Sequence, residues 1–353
     1  MKQSVTLPLS TLLLVAATVL GVVLLWQVRS LLVILAISVV LAASISPVVD
    51  RAERWHIPRW ISTIAVYLGL LAVFVGAGLI VGPTAIEQIQ RLLRQLPSYI
   101  EDAIGLVRTW LANSDDTRSQ LIVELIDPQA ITRWAIGSSQ QLVLRSYSIT
   151  RGIVGAAFSL VLSLFISGYM VADSRSLIRS IVCLFPQPWE DRLASQVTPI
   201  TQRMGGYIRG RLLVSILLAV ISGTTLGLLG LREYALGLGT IAGLTNLIPF
   251  IGPILGAIPA IVVAVSQGGW LVLWVILLFV VVQNLETYVL DPLLVGTSVG
   301  VHPLYQLLAV LGGAQVLGII GALVVPPWVA GVGALLENLY LQPKLAAERE
   351  TRS

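Results

Sequence analysis

Apolar residues dominate this chain in long runs, and polar residues gather at the breaks between them. The runs cover residues 9–28, 31–49, 60–81, 152–172 and 212–231, then 234–265, 270–285 and 304–341. A helix needs roughly 20 mostly apolar residues to cross a bilayer, so each of the first five predicts one crossing. The runs 234–265 and 304–341 are too long for one crossing, and each contains prolines that no straight helix accommodates. The pattern therefore predicts an all-α, polytopic integral membrane protein with about seven to eight transmembrane helices, one or two broken or re-entrant segments and an extramembrane helical region.

Residues 84–111 follow a different rhythm. In TAIEQIQRLLRQLPSYIEDAIGLVRTWL the residues Ile86, Ile89, Leu92, Leu93, Leu96, Ile100, Ile104 and Leu111 recur at helical spacing among charged neighbours. Such a stripe needs a partner surface, which could be the membrane, the transmembrane body or another subunit. The stretch 173–207, with PQPWEDRL, reads as short helices joined by proline breaks. The expected organisation is a set of N-terminal transmembrane helices at 1–83, an extracytoplasmic amphipathic region at 84–151, a transmembrane transport region at 152–341 enclosing cytoplasmic helices at 173–211, and a cytoplasmic tail at 342–353.

Composition supports the membrane reading, because 56% of residues are hydrophobic, 11% are charged and mean hydropathy is +0.89. No soluble domain of this size hides so much apolar surface. The first apolar run exceeds the ~7–15 residues of a signal peptide and no A-x-A site follows it, so it reads as an uncleaved helix. The net charge is +4, and its distribution sets an orientation. Arg51, Arg54 and Arg59 crowd the second break, and residues 173–211 hold six arginines against three acids, whereas residues 84–151 balance seven arginines with seven acids. Basic excess marks cytoplasmic loops, which places the N-terminus inside. The same distribution accounts for the positive charge without nucleic acid as a partner.

Little enzymatic chemistry is on offer. Cys183 is the single cysteine and His56 and His302 lie far apart, so neither a disulfide nor a zinc site is expected. No phosphate-binding G-x-x-x-x-G-K-[ST] motif occurs, and no cofactor is implied. The stretch DPLLVGTSVGVHP does offer Asp291, Ser298 inside a literal G-x-S-x-G, and His302. A nucleophile elbow, however, needs a strand, a sharp turn and a helix, and no sheet can be read here. The chain is not expected to be an enzyme.

From residue 234 to 343 there is no lysine or arginine, and the only acids are Glu286, Asp291 and Glu337. A charge at membrane depth costs on the order of 2.5–3.5 kcal/mol, and its default reading is functional. Glu286 stands in QNLE, where the amides of Gln283 and Asn284 are the expected partners of its charge; the alternative is an interfacial cap. Asp291, before Pro292, reads as a turn or N-cap residue, and Glu337 beside Asn338 as interfacial or a secondary site. Upstream, NLIPFIGPILGAIPA places Asn246, Pro249, Gly252, Pro253 and Pro259 in a segment that must be broken, and GIIGALVVPPWVAG interrupts the last run. Paired interruptions of this kind point to a transporter site built from half-helix ends.

NLIPFIGPILGAIPA, QNLETYVLDPLLVGTSVGVHPL and GGAQVLGIIGALVVPP, with weaker agreement in FISGYMVADSRSL and GGYIRGRLL, resemble the autoinducer-2 exporter family of bacterial permeases. The resemblance runs in order from the first helix to about residue 341. It implies transport of a small solute or ion across the bacterial inner membrane, and the missing phosphate-binding motif makes secondary transport the expected kind. Members are similar to exporters of autoinducer-2, while others look like sodium or proton antiporters. It also implies a homo-oligomer, a pentamer being the form it suggests. A passive oligomeric channel is the alternative. The translocation site is expected at Asn246, Pro249, Gly252, Pro253, Pro259, Gln283 and Glu286, with Asp291 and Glu337 as secondary candidates.

Overall fold

A computed structural model describes residues 9–112, 146–296 and 302–351, and every regular element among them is helical. In chain order these are α1 (Leu9–Gln27), α2 (Arg29–Glu53), α3 (Arg59–Ala112), α4 (Ser146–Ala172), α5 (Ser174–Val182), α6 (Trp189–Leu228), α7 (Ala235–Thr245), α8 (Ile251–Gln267), α9 (Leu271–Leu285), a π-helical segment (Glu286–Gly296), α10 (Pro303–Leu336), a π turn (Glu337–Leu341) and α11 (Gln342–Glu350). Five helices are long and apolar enough to cross a membrane, or six if α4 and α5, bent by 83°, are counted as one span. Helices α7 and α8, of 11 and 17 residues, are apolar but fall short by length. The seven to eight passages read from the sequence thus include segments that do not cross alone.

One end of the bundle is tied by Arg59. Its guanidinium bonds Glu53 and Asp50 at 2.8 Å each and donates from Nε to the Val171 carbonyl at 2.8 Å. The end of α2, the start of α3 and the end of α4 therefore meet, and Arg175 adds a 3.0 Å bond to Glu53. Farther along, the Tyr67 hydroxyl donates to Ser167 Oγ at 2.8 Å and holds α3 to α4.

At 54 residues, α3 is about 80 Å long, far more than one bilayer requires. The apolar span and the amphipathic stretch are one helix that runs on through Pro83, with no break at 83/84. The first part of the amphipathic stripe packs on the body: Ala85 and Leu92 are buried, and Gln88 Oε1 accepts from the Gly237 backbone N–H at 2.7 Å. The α7 N-terminus has no side-chain cap of its own, so Gln88 serves one of its free N–H groups from another helix. Tyr99 donates to Tyr234 at 2.9 Å one step farther out. Ile86 and Leu93 stay exposed.

Both over-long runs are helical hairpins. Helix α7, with 11 residues, reaches about 16 Å before the chain turns and returns as α8. Close approach of the two arms is possible because Gly252 and Gly256 face Thr245 and Ala242; a Cβ on Gly252 would sit 2.0 Å from the Thr245 carbonyl oxygen. In α10 the reversal falls at Gly318, whose φ of 63° and ψ of −146° suit only glycine. Gly313 and Gly321 meet across it. Pro326 and Pro327, expected to break this run, lie inside the returning arm. Trp328 Nε1 beside them donates to the Ala36 carbonyl of α2 at 3.2 Å.

Candidate functional site

Helix α6 is the element on which the site is built. Its segment GGYIRGR alternates glycines that admit neighbours with arginines that hold them. A Cβ on Gly205 would lie 2.1 Å from the Ala43 carbonyl oxygen of α2, and one on Gly210 2.2 Å from the Leu294 carbonyl oxygen of the π segment. The α2 contact has a reason: Pro47 lacks an N–H, so the Ala43 carbonyl one turn back loses its helical donor. Arg209 Nη1 serves that break, donating to Ser44 O at 2.8 Å and Ala43 O at 3.4 Å.

Arg211, on the inward side of α6, donates from Nη1 to Glu286 Oε1 at 2.8 Å and to Asp291 Oδ1 at 3.3 Å. The Asn246 amide, in the orientation that satisfies both its ends, donates to Glu286 Oε2 at 3.1 Å and Oε1 at 3.2 Å. Arg211, Asn246 and Glu286 are each at most 4% exposed, whereas the Asp291 side chain is 39% exposed. One guanidinium faces two carboxylates, so the ionised cluster carries one negative charge in excess. Tyr207, one turn before Arg211, is buried and accepts from Gln306 Nε2 at 3.5 Å.

Local backbone puts these groups together. In an α-helix residues five apart point about 140° away from each other. The wider π turn over Glu286–Gly296 returns residues 286 and 291 to one side, where a single guanidinium reaches both. Helix α9 carries Glu286 about 24 Å from Trp270, deep in the bundle. Asn246 is delivered by the tip of the α7–α8 hairpin. There Phe250 (φ 66°, ψ −47°) sits at the centre of a γ-turn closed by Ile251 N–H donating to Pro249 O at 2.8 Å. Pro253 falls in the first turn of α8, where no N–H partner is needed, and Pro259 lies inside that helix.

The remaining expectations fall elsewhere. Gln283 Nε2 donates to Thr287 Oγ1 at 3.2 Å and Asn284 Nδ2 to the Val280 carbonyl at 2.7 Å, so neither amide serves Glu286. Its partners come from α6 and the hairpin instead. Asp291 is not an N-cap but an inner member of the π segment. Glu337 pairs with Arg203, about 12 Å along α6 from the cluster. His302 Nδ1 accepts from the Leu304 N–H at 3.2 Å and caps α10, while Ser298 lies outside the described residues. Arg211 is the residue the sequence reading passed over, since it ended a basic stretch taken as a cytoplasmic loop. The signal was available: carboxylates in a stretch without cations need one from another segment.

Residues 12–341 match the AI-2E family transporter profile. The chain belongs to the AI-2E transporter family. Among its relatives, the putative transport protein YrrI of Bacillus subtilis is 28% identical over 315 residues, covering 85% of this chain and 84% of YrrI. YueF of the same organism is 30% identical over 312 residues, covering 85% and 82%. The putative transport protein MT0215 of Mycobacterium tuberculosis is 29% identical over 315 residues, covering 88% and 84%. AI-2E membership and the apolar helices make this a multi-pass membrane transporter and not an enzyme, so the G-x-S-x-G string carries no hydrolase.

Proposed function

We propose that this AI-2E family member is a secondary, ion-coupled transporter that exports a small solute such as autoinducer-2 across the bacterial inner membrane. The observation that carries the reading is the cluster of buried Arg211, Glu286 and Asn246 with partly exposed Asp291 at the tip of a helical hairpin. Its excess negative charge gives a proton or a monovalent cation a reason to bind, and Asp291 gives it a partly open route. The hairpin tip and the π segment supply irregular backbone where a solute could be held. Arg51, Arg54, Arg59 and Arg175 gather at one end of the bundle, which favours that end as cytoplasmic, with the N-terminus on the same side. Ile86 and Leu93, uncovered on α3 beyond its apolar span, favour a homo-oligomer.

The charge excess also favours a second reading, sodium/proton antiport without autoinducer-2. Flux into proteoliposomes separates the two, with autoinducer-2 and then sodium offered against an imposed proton gradient. Saturable autoinducer-2 movement that is lost in Glu286→Gln supports export. Proton-driven sodium movement alone supports antiport, and flux indifferent to both Glu286→Gln and the gradient would refute coupling at this cluster.

A further inference from the structure

Three buried polar atoms on α6 have no hydrogen-bond partner among the described residues: Arg211 Nε, Ser215 Oγ and Ser222 Oγ. Ser215 is 5% exposed and Ser222 is fully buried. Their isolation is unusual in this chain. Ser38, Ser44, Thr240 and Thr245 each donate back to the carbonyl four residues earlier, at 2.7–2.8 Å. Ser215 and Ser222 turn away from that option, leaving hydroxyls that cost about 1–3 kcal/mol each when buried unpaired.

The three atoms share one stripe, since residues 211, 215 and 222 are separated by four and seven positions. The stripe rises from the carboxylate cluster toward the Tyr234 end of α6. Against this part of α6 lies α7, and glycine and alanine make the closest contacts between them. A Cβ on Gly243 would lie 2.8 Å from Ser215 O and 2.6 Å from Ala219 Cβ, and one on Gly239 2.7 Å from both Ala219 O and Gly223 Cα. At those contacts no side chain is socketed, whereas Leu218, Leu226 and Leu238 belong to the buried core around them, so the hairpin parts from α6 first along the glycine line.

We infer that the stripe Arg211–Ser215–Ser222 is the wall of the solute path between the carboxylate cluster and the Tyr234 end, opened when the α7–α8 hairpin parts from α6. A guanidinium N–H and two hydroxyls in file suit a small hydrated solute rich in oxygen acceptors, and they find in water and solute the partners they lack in the closed arrangement. The inference rests on the transport reading above and adds the route and the class of cargo.

Thiol accessibility tests it in proteoliposomes, using the full chain with Cys183→Ser, single Ser215→Cys and Ser222→Cys substitutions, and a charged, membrane-impermeant methanethiosulfonate reagent. Ile216→Cys and Val220→Cys are controls, because those positions are 59% and 58% exposed on the apolar surface. A charged reagent reaches thiolates in water and not thiols in lipid, so both serine positions are expected to react at least about tenfold faster than the controls. Ser215→Ala and Ser222→Ala, which remove a hydroxyl that has no partner among the described residues, are expected to raise the KM for autoinducer-2 about tenfold each. Labelling no faster than the controls, with flux intact, overturns the path while leaving transport standing. Rapid labelling in a protein that moves neither autoinducer-2 nor sodium upholds a water-filled route and refutes the transport reading instead.

Discussion

Arg211→Gln removes the one cation from a pair of carboxylates, Glu286 buried and Asp291 partly exposed, and its cost can be ranked against that of Glu286→Gln. At an effective dielectric of about 20, a 2.8 Å contact is worth about 6 kcal/mol of attraction before either group's desolvation is charged against it. The 3.3 Å contact to Asp291 adds less than its distance suggests, since that carboxylate is 39% exposed and screened. Without Arg211, Glu286 keeps only the Asn246 amide and faces a second carboxylate, so the loss should be about 3–5 kcal/mol. Glu286→Gln leaves Arg211 with Asp291 and leaves Asn246 a carbonyl to meet, so its loss should be about 1–3 kcal/mol. The double variant strands only the partly exposed Asp291 and should cost less than the sum by about 1–3 kcal/mol. Unfolding in detergent, followed by tryptophan fluorescence, measures all four corners of this cycle. An Arg211→Gln loss no larger than that of Glu286→Gln, or additivity within about 0.5 kcal/mol, would refute the ion pair as the organiser of the site.

Two further tests are simpler. Gly210→Ala places a methyl 2.2 Å from the Leu294 carbonyl oxygen and is expected to lower stability by about 1–3 kcal/mol, whereas Gly21→Ala, with nothing within 4 Å, should leave the unfolding midpoint unchanged or higher. At exposed Cys183 the thiol lies 3.3 Å from the Glu190 carboxylate, and that hydrogen bond holds its pKa above the ordinary cysteine value. A raised pKa keeps the unreactive protonated form dominant to higher pH, so the alkylation rate profile should move to lower pH in Glu190→Gln; an unmoved profile would show the contact to be idle.

The apolar runs were legible because bilayer thickness imposes one length on every crossing. Asn246 and Glu286 stood out for a related reason: a polar side chain in a stretch without cations has few bland uses. Arg211 was hidden by its position beside the apolar boundary at residue 212, where a loop arginine and a buried one look alike in sequence. The same boundary effect concealed α3, since a composition shift at Thr84 gave no sign that the helix runs on through Pro83. Neither reversal point was fixed by proline alone. The second hairpin turns at Gly318, and a glycine at positive φ among many glycines carries no mark in a single sequence. The joint action of Glu286 and Asp291 was equally hidden, because their spacing separates them on an α-helix and unites them only on the wider turn.

The Arg211–Glu286 pair also bears on how the protein is made. The two residues are 75 positions apart, so at roughly 5–20 residues per second the arginine emerges about 4–15 seconds before its partner. Throughout that interval α6 carries a guanidinium without its carboxylate partners, a charge that favours the headgroup level over the hydrocarbon. The helix is therefore expected to keep Arg211 near a headgroup surface until the hairpin and α9 arrive with Asn246 and Glu286. The cluster that ties the folded bundle together thus also governs its assembly, and a variant that disturbs it is expected to be sensed first by membrane quality control.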